Sequence, residues 1–316
     1  MAVTMAAGTR IESQPDRVDV TFHSQGDALA GWYHPPPCPG SAAIVMAHGF
    51  SAVKEQYLDE YASAFAAAGF AVLVFDHACF GASGGLPRQE VDPERQRRGY
   101  RDAITWIKNQ PGVDPGRIGI WGTSYSGGCA LAVAAVDRRV GAVVAQVPTI
   151  SGSAVAARRL DDARAASLSA MLRQDRLARV RGRPSGLVPV VGADAGSLCA
   201  LPGPDAYALF TGTAARAPTW RNEVTLRSLE LAQENEPGAR VEAITAPVLI
   251  IVATGDSLTP EDLAEAAFER IVAPKRLVRL EGGHFSPYVA DFEKSAGEAV
   301  RWFGQVLNGA AYGRGS

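Results

Sequence analysis

Long apolar runs are missing from this chain. No stretch reaches the roughly 20 residues that a bilayer-spanning helix needs. Met1 to Asp19 carries Arg10, Glu12, Asp16 and Arg17 but no apolar core of signal-peptide length. These first residues are expected to form a loose tail. An excess of one charge is missing too: 31 Lys+Arg stand against 33 Asp+Glu, a formal net charge of −2. That leaves no electrostatic footprint for nucleic acid or an anionic membrane surface, so neither is an expected partner. Cysteine is scarce. Cys38, Cys79, Cys129 and Cys199 are scattered without paired spacing, which suits a reducing compartment, taken as the cytoplasm, better than a disulfide framework. Repeats, coiled-coil heptads and nucleic-acid motifs are absent from the sequence.

Metal and cofactor signals are equally thin. Asp76, His77 and Cys79 offer three ligands on one short loop, poor geometry for a tetrahedral site, and no second cluster completes them. Gly81-Ala82-Ser83-Gly84-Gly85 follows a strand without opening a helix, so it is no phosphate cradle. No metal and no cofactor are expected.

What the chain does have is alternation. Of its 316 residues 47% are hydrophobic and 20% charged, enough for one large domain over residues 1–316. Val18 to His23 and Ala28 to Tyr33 read as an antiparallel pair ended by Pro35-Pro36-Pro37-Cys38-Pro39-Gly40. Strands follow at Ala42 to Ala47, Ala71 to Phe75, Arg117 to Trp121, Ala142 to Gln146, Pro247 to Ala253 and Arg276 to Leu280. Helical stripes at Leu58 to Ala66 and Arg97 to Lys108 lie between them. The result is a mostly parallel, doubly wound α/β sheet. From Thr149 to Thr245 no clear strand is found, and a bare loop of that length is implausible. Residues 149–245 are therefore expected to be a helical cap, inserted after the sixth strand. Leu160, Ala163, Ser167, Met171 and Val180 share one helical face, and Trp220, Val224 and Leu231 suggest another helix ending near Pro237. Gly182 to Pro218 is the least regular part, a mobile lid or a poorly packed loop.

One segment says most about chemistry. Gly122-Thr123-Ser124-Tyr125-Ser126-Gly127-Gly128 joins a strand to an Ala-rich helix through a sharp turn, which lifts the hydroxyl of Ser124 out of the sheet as a nucleophile. Ser126 stands where such motifs usually have their last glycine, although Gly127 and Gly128 follow at once. The competing reading is a plain glycine-flanked turn. Context decides between them. Asp256 sits at the carboxyl end of the strand Pro247 to Ala253, and His284 lies in Glu281-Gly282-Gly283-His284-Phe285 after the next strand. Singly, Asp256 could be a helix cap before Glu261, and His284 a packing residue. Together and in this order they make a nucleophile, an acid and a base, each at a strand end. Asp76, also at a strand end, is the rival acid. His48-Gly49-Phe50 after the strand Ala42 to Ala47 aims a backbone N–H inward. The oxyanion donors are therefore assigned to the N–H groups of Phe50 and Tyr125, with the His48 side chain structural.

These segments, with Val74-Phe75-Asp76, Phe80 to Gly85, Trp220-Arg221-Asn222-Glu223-Val224 and Gly282-Gly283-His284-Phe285, resemble the bacterial α/β-hydrolases. The order Ser, Asp, His is the one that fold uses. The nearest group is the dienelactone-hydrolase-like proteins, which include polyketide transferases of secondary metabolism, and the likeness runs from about Val20 to Leu307. True dienelactone hydrolases use a cysteine where this chain has Ser124, so lactone specificity does not carry over. Relatives often have an arginine after the aspartate equivalent to Asp76; here His77 follows.

The expectation is a serine hydrolase acting on carboxylic esters or thioesters through an acyl-enzyme, with a small-molecule substrate and a homodimer left open. The alternative is an acyltransferase of secondary metabolism using the same acyl-enzyme. A catalytically silent ligand-binding protein is the third reading, whose usual sign, a broken triad, is missing.

Overall fold

The computed structural model describes residues 17–193 and 198–309. The expected N-terminal tail lies largely outside them. The described chain begins with β1 (Val18–Ser24), β2 (Asp27–His34), β3 (Ser41–Ala47), α1 (Leu58–Ala67), β4 (Ala71–Phe75) and α2 (Pro93–Ile107). It continues through β5 (Val113–Thr123), α3 (Tyr125–Ala134) and β6 (Val140–Gln146). Then come α4 (Gly152–Arg159), α5 (Asp162–Val180), β7 (Leu187–Val188), α6 (Pro204–Gly212), β8 (Val224–Thr225) and α7 (Leu226–Glu234). The last part holds β9 (Val248–Ala253), α8 (Glu261–Arg270), β10 (Lys275–Leu280) and α9 (Phe292–Leu307).

Eight strands form one sheet in the order β1-β2-β4-β3-β5-β6-β9-β10. β1 with β2 and β2 with β4 run antiparallel; the other neighbours are parallel. This is the α/β-hydrolase fold. Its strands β4 and β9 are apolar at every position because helices cover both faces. Side chains alternate between two cores: Ala43, Val45 and Ala47 join one, Ala42, Ile44 and Met46 the other. The first core takes Tyr100, Ala103 and Ile104 of α2, Ala130 and Val133 of α3, and Ala264 and Ala267 of α8. The second takes Tyr61 and Phe65 of α1 with Trp302 and Phe303 of α9.

The stretch between β6 and β9 differs in detail from its expectation. It is mainly helical, but β7 and β8 pair as a two-residue antiparallel ladder, too short to leave an alternating pattern in the sequence. Trp220, Val224 and Leu231 do not share a helix. The Thr225 hydroxyl accepts from the Ser228 N–H at 3.2 Å and starts α7 there, with Val224 in β8. Leu160 follows α4 in extended conformation, and Asp161 accepts from the Arg164 N–H at 2.8 Å to cap a separate α5. Val180, expected on the apolar face, is exposed. The irregular part includes the helix α6. α2 also starts earlier than its apolar stripe suggested, because Asp92 caps it and Pro93 occupies its first position. Among the described residues no helix is long and apolar enough to cross a membrane.

Candidate active site

Ser124 occupies the apex between β5 and α3 with φ 56° and ψ −120°, a conformation that side-chain-bearing residues rarely adopt. Its surroundings over-determine that strain. The Ser124 N–H donates to the Gln146 carbonyl at 2.8 Å, and its carbonyl accepts from the Thr149 N–H at 3.0 Å. The turn closes because Gly122 has no Cβ, which would stand 2.1 Å from the Ser126 carbonyl oxygen. A Cβ on Gly128 would likewise stand 2.2 Å from the Thr149 oxygen.

The three residues expected to act together do converge. His284 Nε2 lies 2.9 Å from Ser124 Oγ, and His284 Nδ1 lies 2.7 Å from Asp256 Oδ2. Asp256 and His284 are both buried. Burial pushes the Asp256 carboxyl up, but the charge of the imidazole and hydrogen bonds from His284 and Thr259 outweigh it and hold it below the ordinary carboxylate range. Asp256 Oδ1 also accepts from the Leu258 and Thr259 N–H groups, each at 2.8 Å. The helix-cap geometry and the histidine contact thus use different oxygens of one carboxylate. Thr259 was not singled out from the sequence. Its hydroxyl lies 2.7 Å from Asp256 Oδ2, 3.1 Å from His284 Nδ1 and 2.9 Å from the Val147 carbonyl. The only sequence signal is its place three residues after Asp256, a common turn spacing.

Asp76, the rival acid, is engaged elsewhere. Its Oδ2 pairs with Lys54 Nζ at 2.7 Å and accepts from the Ala82 N–H at 3.0 Å, while Oδ1 accepts from the Lys54 N–H at 2.8 Å. Gly81 leaves room for it, since a Cβ there would stand 2.2 Å from Asp76 Oδ2. The glycine-rich loop therefore wraps a buried ion pair. Beside it, His48 Nδ1 donates to its neighbour's carbonyl, that of Gly49, at 2.9 Å, and His48 Nε2 accepts from the His77 N–H at 3.1 Å. Burial holds both histidines below the ordinary imidazole pKa. Among the described residues no group of three or more His, Cys, Asp or Glu side chains could hold a metal ion.

The X-Pro dipeptidyl-peptidase (S15) family pattern matches residues 26–286. The chain belongs to this family. Quorum-quenching protein AidA of Acinetobacter baumannii is 30% identical to it, over 92% of this chain and 95% of that protein. Thiohydrolase aneE of Aspergillus aculeatus is 31% identical over 84% and 86%. The crystal structure of the α/β hydrolase GrgF from Penicillium sp. sh18 superposes with a TM-score of 0.79 at 27% identity, covering 93% of this chain and 99% of that one. The Penicillium protein grgF is named a polyketide transferase. Thiohydrolase and polyketide transferase relatives agree with the resemblance carried by the motifs, and this S15-family protein is an enzyme of the α/β-hydrolase type.

In the S15-family chain two cavities meet at Ser124. The larger, about 290 Å³, runs from Phe50, Ser124 and Tyr125 under α4, α5 and α7, with Leu160, Leu168, Leu201 and Leu229 among its walls. Two arginines line it, Arg159 and Arg164, and no described Asp or Glu does. The smaller, about 30 Å³, includes His284, Tyr57, Phe285 and Tyr288. Phe50 and Tyr125 flank the serine, their rings edge to face with centroids 5.5 Å apart. Tyr125 is the first residue of α3, so its N–H has no intrahelical partner.

Proposed function

We propose that this S15-family protein is a serine hydrolase that cleaves carboxylic esters or thioesters through an acyl-enzyme. One observation carries the reading: the continuous hydrogen-bonded line from Ser124 Oγ through His284 to Asp256, at 2.9 and 2.7 Å. His284 Nε2 takes the Ser124 proton while Oγ bonds to the acyl carbon. Asp256 accepts from Nδ1–H and so keeps Nε2 free as the base, then stabilises the imidazolium. Thr259 holds the carboxylate in place. The N–H groups of Phe50 and Tyr125 receive the oxyanion, aided at Tyr125 by the positive end of α3. Collapse expels the alcohol or thiol, which takes the proton from His284. Water then attacks the acyl-enzyme, losing a proton to His284, and releases the acid with Ser124 restored.

Peptide cleavage, after which the family is named, fits less well. A peptidase that counts residues from a free amino terminus needs an acidic partner for the substrate ammonium group. The described lining has two arginines instead. The acyltransferase reading is favoured by a specific observation, the roofed 290 Å³ cavity beside Ser124, which could seat an acceptor away from bulk water.

The test is turnover of p-nitrophenyl esters and matching thioesters. Ser124→Ala and His284→Ala should each lower kcat by about three orders of magnitude or more in folded protein, because the residues act as a unit. Near-normal turnover by either variant ends the proposal.

A further inference from the structure

Arg159, the last residue of α4, shares the 290 Å³ cavity with Ser124. Other arginines of this stretch have acidic partners: Arg158 has Asp262, while Arg176 and Arg179 share Glu230. Arg164, the other arginine on the cavity wall, lies 3.6 Å from Asp161 and is mostly exposed. Arg159 has none among the described residues. Among the described residues its guanidinium makes one hydrogen bond, from Nη2 to the Ala200 carbonyl at 3.2 Å. A guanidinium has five N–H donors and stays charged in proteins, so most of its donors have no described protein acceptor. Burial opposes its charge and lowers its pKa from the ordinary arginine value, against the pull of Cys199 and Asp256. A cation in an apolar cavity is costly unless an anion joins it.

The geometry also separates the two ends of a substrate. His284 must protonate the departing alcohol or thiol, so that group lies on the His284 side. His284 lines the small cavity and not the large one. The acyl group therefore enters the large cavity, toward Arg159.

We propose that the large cavity selects acyl groups ending in a carboxylate, and that Arg159 receives it. The substrate class is the monoester or monothioester of a dicarboxylic acid. The inference rests on the hydrolase reading above. Leu160, Leu168, Leu201 and Leu229 cover the methylene chain, while the planar fork of Arg159 matches the two oxygens of the terminal carboxylate.

Matched substrates test this: p-nitrophenyl hydrogen esters of diacids from succinate to sebacate, each beside its terminal carboxamide, which has the same shape without the charge. The expected result is a preference for the acid at one chain length, measured by kcat/KM. Arg159→Gln should lower kcat/KM for that acid by about thirtyfold, as loss of a desolvated charge pair does. The carboxamide should change by less than about threefold, and Arg164→Gln should leave the preference within about twofold. Equal loss on acid and amide, no preference at any length, or a larger effect from Arg164→Gln overturns the proposal. So does a response confined to phosphopantetheine against pantetheine thioesters, which would put the anion on the leaving group. Calorimetry on Ser124→Ala protein with monomethyl adipate and its amide reads Arg159 without turnover. Weaker binding of the acid alone in the double variant sustains the assignment even if no ester is cleaved; equal binding ends it.

Discussion

His77 Nε2 lies 2.8 Å from Ser126 Oγ, joining the loop after β4 to the turn between β5 and α3. Ser126 in turn donates to the His48 carbonyl at 2.5 Å. The pair ties the Ser124 turn to the loop that carries Phe50.

Removing this tie should cost stability more than chemistry. Ser126→Ala leaves His77 Nε2 and the His48 carbonyl buried without this partner, a loss of about 1–3 kcal/mol. Thermal unfolding should show it, with kcat within about tenfold of the parent because Ser126 does not touch the reacting atoms. A fall in kcat as deep as that of Ser124→Ala, in folded protein, would move the nucleophile to Ser126.

The two aspartates should separate cleanly. Asp256→Asn should lower kcat by about three orders of magnitude, since the amide no longer enforces the His284 tautomer, with little change in melting temperature. Asp76→Asn leaves the buried ammonium of Lys54 with Glu55, 2.9 Å away, as its remaining acidic partner, and should cost about 3 kcal/mol of stability. Denaturant unfolding beside steady-state kinetics distinguishes them, and the reverse pattern would restore Asp76 as the acid.

His34 should make the fold acid-sensitive. Both its ring nitrogens lack partners among the described residues, and burial, helped by the charge of Arg17, lowers its pKa to about 4. Unfolded, it titrates near 6.5. Between these values the unfolded chain binds the extra proton, so stability is full above about 6.5 and falls as pH drops toward about 4. His34→Leu should flatten that part of the melting-temperature profile; an unchanged slope would assign it to other groups.

Much of the sheet was legible because β3, β4 and β9 are short apolar runs closed by turns, buried along their whole length. The placement of Ser124, Asp256 and His284 after strands was legible because turn residues close each strand. Thr259 was not, since a threonine near a helix start is an ordinary sight, and neither was the link between His77 and Ser126, which are 49 residues apart. The stretch from Thr149 to Thr245 was read least well. There the boundaries are set by single caps such as Thr225 and Asp161 rather than by periodicity.

Water and another acceptor can be told apart by partitioning. A pre-formed acyl-enzyme, mixed with alcohols or thiols at millimolar concentration, should go mainly to the free acid. Capture of nearly all the acyl group by one acceptor against bulk water would establish the transferase reading.

The large cavity takes its floor from the sheet's turns, Phe50, Ser124, Tyr125, Leu258 and Thr259, and most of its remaining wall from the inserted helices and their connections. On the proposed hydrolase reading, reactivity and selectivity are therefore encoded in separate stretches of the gene. Exchanging residues 152–234 between two relatives would move the choice of acyl group while the hydrogen-bonded line to Ser124 stays intact. Under selection, such a chain can change its substrate without passing through a form that has lost its chemistry.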